Sequence, residues 1–224
     1  MRSFLKISIL AAVMILSLQV KAQTVTDVIE PITYNGISKL FIEEKGEIFN
    51  SLSLATRYTL LNNYGKESKK DVVNDLETSE THLLKLNDDY MLIATSSART
   101  VEMKMLPKSK KDTVVVVIET VAMPYKDSRI TFYDTKWNPL ATDEFITPPT
   151  IDDFIVPKAP QQLREELKSA VYFAMIEMKL EDDTLVAQCN LEDFFLGESF
   201  TRYSSIVTKK VVYDIKKAKF KKVK

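Results

Sequence analysis

From Thr81 to Tyr133 the chain is a dense succession of strand patterns separated by short polar turns, and that run restricts the fold more than any other feature. Arg99 to Leu106 alternates, with Val101, Met103 and Met105 on one face and Glu102 and Lys104 on the other. This is the period of a half-buried strand. Thr81 to Leu86 and Tyr90 to Ser96 precede it, joined by Asn87-Asp88-Asp89. Short Asx side chains bond nearby backbone and so favour turns. Pro107 to Asp112 is a basic loop, and Thr113 to Met123 is nearly continuous in apolar residues. Such a strand is expected in the centre of a sheet, covered on both faces. Arg129 to Tyr133 alternates again, Ile130 and Phe132 against Arg129, Thr131 and Tyr133. Loops this short imply hairpins and hence an antiparallel sheet.

Helical spacing flanks that run. Leu54, Tyr58 and Leu61 recur at i, i+4 and i+7, with Ser51 or Ser53 placed to cap and Gly65 to stop, which predicts a helix over 54–64. A longer stripe, Leu163, Leu167, Ala170, Val171, Ala174, Met175 and Met178, predicts a second helix after Pro160. Strands are then expected at 184–190, 204–214 and 218–222, with a short helical or looped insert at 191–197. The fold class is α+β, mainly antiparallel. The predicted organisation is a leader at 1–22, an N-terminal α+β half at 23–140, a Pro-rich connector at 141–160, and a C-terminal α+β half at 161–224. Pro139, Pro148, Pro149, Pro157 and Pro160 mark the connector.

The leader has Arg2 and Lys6, then an uncharged, mostly apolar run from Ile7 to Val20, then Val20-Lys21-Ala22 before Gln23. That layout predicts a secretory signal cleaved near Ala22-Gln23, the apolar run being short for a membrane span. The chain is therefore expected to be exported, periplasmic or secreted. After cleavage 28 basic residues face 31 acidic ones. This near balance excludes a general nucleic-acid binder, which needs a basic face to release counterions. The sign is uneven, because Lys216, Lys217, Lys219, Lys221, Lys222 and Lys224 crowd the C-terminus. These lysines suit either a solvated edge strand or a contact with anionic lipid headgroups or lipopolysaccharide. The solvated edge is the favoured reading, and any membrane contact would run through this segment only.

Most reactive constellations are absent from the sequence. Cys189 is the one cysteine, so no internal disulfide forms and stability must come from the core. It lies in a strand pattern and is expected to be buried and inert. His82 is the one histidine, which removes His-based zinc sites and HExxH. Gly36, Gly46, Gly65 and Gly197 are scattered and build no phosphate loop. There is no GxSxG, and no SxxK beyond the leader. Asp88-Asp89, Asp152-Asp153 and Asp182-Asp183 are adjacent pairs in turn composition, where a turn role outweighs catalysis. No catalytic, cofactor-binding or metal-ligating residue is assigned, and no cofactor is expected. Trp137, the lone tryptophan, suits core packing better than a ligand platform.

Four ordered segments carry a family resemblance: Leu86 to Met91, Val101 to Pro107, Ile118 to Val121 with Pro124, and Asp127 to Asp134 running into Trp137 and Pro139-Leu140. Together they resemble domain of unknown function 3256, a family of exported proteins of Bacteroidales. Phe41 to Tyr64 and the segment from Asp183-Thr184-Leu185 to the last strand fit more loosely. Many members carry a cysteine near the end of the long central strand, where this chain reads Val121-Ala122-Met123; no thiol role carries over. The resemblance implies a Gram-negative envelope location and brings no activity. By analogy, the two helix-plus-sheet halves look like the β-lactamase-inhibitor-protein type of fold. The expected function is a non-enzymatic binding module for an envelope protein or glycan. Its contact groups are drawn from Tyr90, Tyr125, Tyr133, Trp137 and Tyr203. The alternatives are a carboxylate-dependent glycan or peptidoglycan hydrolase and a structural accessory of the outer membrane.

Overall fold

The computed structural model describes residues 34–66, 72–73, 80–122, 124–171, 175–195 and 198–223. The leader and its cleavage point lie outside the described residues, as does Lys224. Tyr34–Lys224 forms one compact unit.

Among the described residues the strands form two antiparallel sheets. The first follows chain order: β1 (Val72–Val73), β2 (Glu80–Leu86), β3 (Tyr90–Ser96), β4 (Arg99–Pro107), β5 (Thr113–Ala122), β6 (Lys126–Asp134) and β7 (Pro139–Leu140). The second comprises β8 (Ile176–Glu181), β9 (Thr184–Cys189), β10 (Lys210–Lys216) and β11 (Lys219–Lys222), in spatial order β11-β10-β9-β8. No strand of either sheet interleaves with the other.

Strand β5 is covered on both faces, as its apolar run requires. Val115 and Val117 join Met91, Ile93, Val101, Met103 and Trp137 in a core beneath α1 (Gly36–Glu43) and α2 (Leu54–Asn63). Val114, Val116 and Ile118 join Leu106, Ile130 and Phe132 in a second core shared with the other sheet. The Pro-rich stretch 141–160 contributes Phe145, Ile146, Phe154 and Ile155 to that shared core.

Helix α1 has no counterpart in the sequence reading, although Ile37, Leu40 and Phe41 supply a buried i, i+3, i+4 face. Its first residue must be glycine. Gly36 has φ +54°, and a Cβ there would meet the Asp88 carbonyl oxygen at 2.1 Å. Helix α2 lies where expected, with the Ser53 hydroxyl accepting from Thr56 N–H at 3.1 Å. Its buried face, however, is Thr56, Arg57, Leu60 and Leu61. Leu54 and Tyr58 are 53% and 37% exposed, so the expected apolar stripe is corrected by about one residue.

The cause is a buried ion pair. Arg57 Nη2 lies 2.9 Å from Glu44 Oε2, and both side chains are almost wholly covered. The guanidinium also donates to the carbonyls of Phe41, Glu44, Leu52 and Phe49. Glu44 in turn accepts from the N–H groups of Gly46, Glu47, Ile48 and Phe49. Burial pushes the Glu44 pKa up, but these amides and Arg57 outweigh it and hold it below the usual carboxylate range.

Two further expectations change. The stripe after Pro160 gives helix α3 (Gln161–Ala170), which ends with Val171 in extended backbone. Met178 belongs to β8, where Ile176, Met178 and Leu180 are buried at period two. Met178 satisfies both periods, and strand pairing with β9 decides between them. The strand expected over 204–214 begins only at Lys210. The insert at 191–197 corresponds to helix α4 (Leu191–Phe194), with α5 (Glu198–Thr201) following.

Candidate functional site

The register of the large sheet locates a boundary on the face turned toward the small sheet. Directly paired residues share a face, so Leu92, Glu102, Ile118 and Ile130 form one row, and Tyr90, Lys104, Val116 and Phe132 the next. Each row is apolar on β5 and β6 and mixed or polar on β3 and β4. The small sheet packs its edge strand β8 on β5 and β6, where the rows are apolar. The β2–β4 side stays open as the floor of a groove, with β8 and the β8–β9 turn as its wall.

The groove has two adjoining lobes of about 580 and 460 Å³. Lys85, Tyr90, Leu180 and Glu181 line both. Lys104 and Asp182 line the first lobe, and Glu102, Lys126, Glu177 and Lys179 the second. Lys104 Nζ donates to the Asp182 carbonyl, which ties the turn to the floor.

Edge strands carry exposed N–H groups, and here the large sheet satisfies those of β8 with side chains. Ile176 N–H donates to Asp127 Oδ1 at 3.2 Å, Met178 N–H to Ser128 Oγ at 2.9 Å, and Leu180 N–H to Glu102 Oε2 at 2.9 Å. Every second amide of β8 is thus used.

Glu102 is the unusual group of the groove. It is 7% exposed. Burial raises its pKa, and the Leu180 N–H, Lys179, Lys85 and the Tyr90 hydroxyl offset this only in part. Tyr90 is raised too, by burial and by the Glu102 charge. Glu177 is shifted the other way: burial raises it, but ion pairs with Lys179 at 2.8 Å and Lys126 at 3.0 Å hold it below the usual range. A raised folded-state pKa favours the native state at low pH, and that advantage is lost as pH rises through the folded value. Glu102→Gln is therefore expected to be more stable than wild type at neutral pH, with the gap closing as pH falls toward 4.5, the ordinary glutamate value. Glu102→Ala should lose about 1–3 kcal/mol by orphaning the Leu180 N–H. Urea melts at several pH values measure both.

The aromatic residues expected to form a contact surface do not assemble. Trp137 is 8% exposed and donates from Nε1 to the Leu40 carbonyl at 3.1 Å. Tyr203 is also 8% exposed, and its ring packs on Phe195. Burial removes both as surface groups. Tyr133 packs on Trp137, and Tyr125 on Phe194. Tyr90 alone of the five lines the groove. Cys189 is buried, and burial pushes its thiol up to about 11, the inert state expected of it. Asp88-Asp89 and Asp182-Asp183 sit at hairpin turns, and Asp153 completes a capping box with Thr150. Among the described residues no cluster of His, Cys, Asp and Glu could hold a metal ion, and no helix is long and apolar enough to cross a membrane.

The groove's floor groups carried a signal in the sequence. Glu102 and Lys104 alternate with buried Val101 and Met103, which reads as an outward polar face. The second sheet that half covers this face could not be inferred from β4 alone.

A seven-stranded antiparallel sheet, with helices on one face and a four-stranded sheet half covering the other, defines an α+β protein with a polar inter-sheet groove. The chain belongs to the family described as protein of unknown function (DUF3256), which matches residues 32–220. Its structure is similar to that of a domain of an uncharacterized protein from Porphyromonas gingivalis W83, with a TM-score of 0.75 and 24% identity. That likeness covers 85% of this chain and 100% of the other, and at this identity it speaks to the fold. No curated protein matches the chain.

Proposed function

We propose that this is an exported, non-enzymatic binding module of the cell envelope, and that the inter-sheet groove is its contact surface. One observation carries this reading: the groove is large and lined by charged side chains, and its two buried carboxylates are already engaged, Glu102 with the Leu180 N–H of β8 and Glu177 with Lys126 and Lys179. Such groups can present hydrogen bonds to an envelope protein segment or glycan without themselves reacting. Each sheet follows a helix in the chain, an order that supports the proposed analogy with the β-lactamase-inhibitor-protein type, on architecture alone.

The hydrolase alternative has one observation in its favour. Glu102 and Glu177 line the same lobe, and their pKa values are pushed apart, as an acid and a base require. Both, however, are held by structural partners. The test uses protein recovered from the envelope, whose N-terminus is expected at Gln23. A photo-crosslinking residue at Thr100 in the groove is compared with one at Lys45 beyond α1, in the presence of solubilised envelope and of peptidoglycan fragments. Adducts are expected from position 100 only, and equal labelling at both positions overturns the reading. Release of new reducing ends from peptidoglycan, abolished by Glu102→Gln, would replace it with the hydrolase.

A further inference from the structure

We propose that the basic β4–β5 loop and the C-terminal hairpin form one cationic face that docks on an anionic phospholipid surface. Lys108 and Lys219 come from opposite ends of the chain, yet their Nζ atoms lie 5.6 and 5.4 Å from the centroid of the same Phe145 ring. That ring is a fixed point. It is 3% exposed, it stacks on Phe132, and its carbonyl accepts from Phe220 N–H at 2.9 Å. Lys219 also donates to the neighbouring Glu144 carbonyl.

Around this point the remaining lysines stand on two protruding turns. Lys110 and Lys111 are exposed on a loop closed by Lys108 N–H on the Asp112 carbonyl at 2.9 Å. Lys217 sits in the β10–β11 turn with φ +51°. Lys221 follows Lys219 on the side of β11 away from buried Phe220. Lys110, Lys111, Lys217 and Lys221 make no ion pair among the described residues. The nearby acids are Asp112, Asp143, Glu144 and Asp214, the last directly opposite Lys221, and Lys222 is paired with Asp153. Lysine still outnumbers them across the two segments.

The register supplies a second argument. Lys216 and Lys219 are directly paired across β10 and β11, and like charges opposite one another destabilise a hairpin. An external anionic surface relieves that repulsion. Lysine ammonium groups on flexible stems suit a diffuse field of headgroups, whereas one tightly read phosphate calls for the fork of arginine. Val223, 45% exposed and fixed by its N–H on the Val212 carbonyl, adds an apolar contact beside the charges. The contact face thus extends beyond the C-terminal lysines to the 108–111 loop.

Co-sedimentation with phosphatidylcholine vesicles, with and without about one-third phosphatidylglycerol, tests the proposal. Binding is expected only to the anionic vesicles at low ionic strength, and is lost at roughly 0.5 M salt. Two triple variants are compared, Lys108→Gln with Lys110→Gln and Lys111→Gln, and Lys217→Gln with Lys219→Gln and Lys221→Gln. Each should weaken partitioning on the order of tenfold to a hundredfold, while the corresponding arginine variants bind as wild type. Of the loop lysines only Lys108 meets a core ring, that of Phe145, so the double variant Lys110→Gln with Lys111→Gln remains informative if either triple variant melts early. No binding to anionic vesicles at low salt overturns the proposal. So does unchanged binding by the loop variant, or displacement by inorganic phosphate at matched ionic strength. None of these outcomes bears on crosslinking in the groove.

Discussion

Arg57→Ala is expected to lower the stability of the protein by about 3–5 kcal/mol, the range for removing one partner of a buried ion pair. Arg57 binds one carboxylate and four carbonyls, so the variant leaves more than a charge unsatisfied. Arg57→Lys should also be destabilised, by less, because a single ammonium cannot reproduce the planar fork. The effect depends on pH. Glu44 has a depressed folded-state pKa, so its contribution is present above the ordinary value of 4.5 and is lost as pH falls through the lower folded value. Denaturant melts of wild type and Arg57→Ala should therefore converge in acid. A variant within 1 kcal/mol of wild type at neutral pH, roughly the scale of an exposed pair, would show that the hub adds nothing.

Phe132→Ala is expected to cost about 3–5 kcal/mol, the range for truncating a fully buried phenylalanine. Phe132 is 1% exposed. It stacks on Phe145 at 4.6 Å and meets Phe220 edge-on at 5.6 Å, so one truncation opens a cavity where the large sheet, the 141–160 stretch and the small sheet meet. Unfolding should remain a single transition with a lower midpoint. Two separated transitions would instead show that the two sheets melt independently.

Strands β4 and β6 were readable from a period of two, β2 and β3 from the short polar turn that joins them, and β5 from its apolar run, whereas the two-residue strands β1 and β7 are too short to show a period. The same reading misjudged α2, since a buried arginine paired with Glu44 cannot be told from a surface arginine by composition. It overextended α3, because Met178 fits both a helical and a strand period and only pairing with β9 selects one. It favoured core packing for Trp137, as found, yet kept Trp137 and Tyr203 among candidate contact groups, because burial depends on long-range contacts such as that from Trp137 to Leu40. The groove itself is tertiary: its floor comes from β2–β4 and its wall from β8, and neither segment alone signals a concave surface.

Side-chain capping of β8 also governs how a guest would be received. Amides face outward only at alternate residues, so a slip of one position would break all three bonds to Asp127, Ser128 and Glu102 at once. The spacing between floor and wall is consequently set before any ligand arrives. A partner entering there meets a cradle of settled width and spends little of its affinity on reshaping the host.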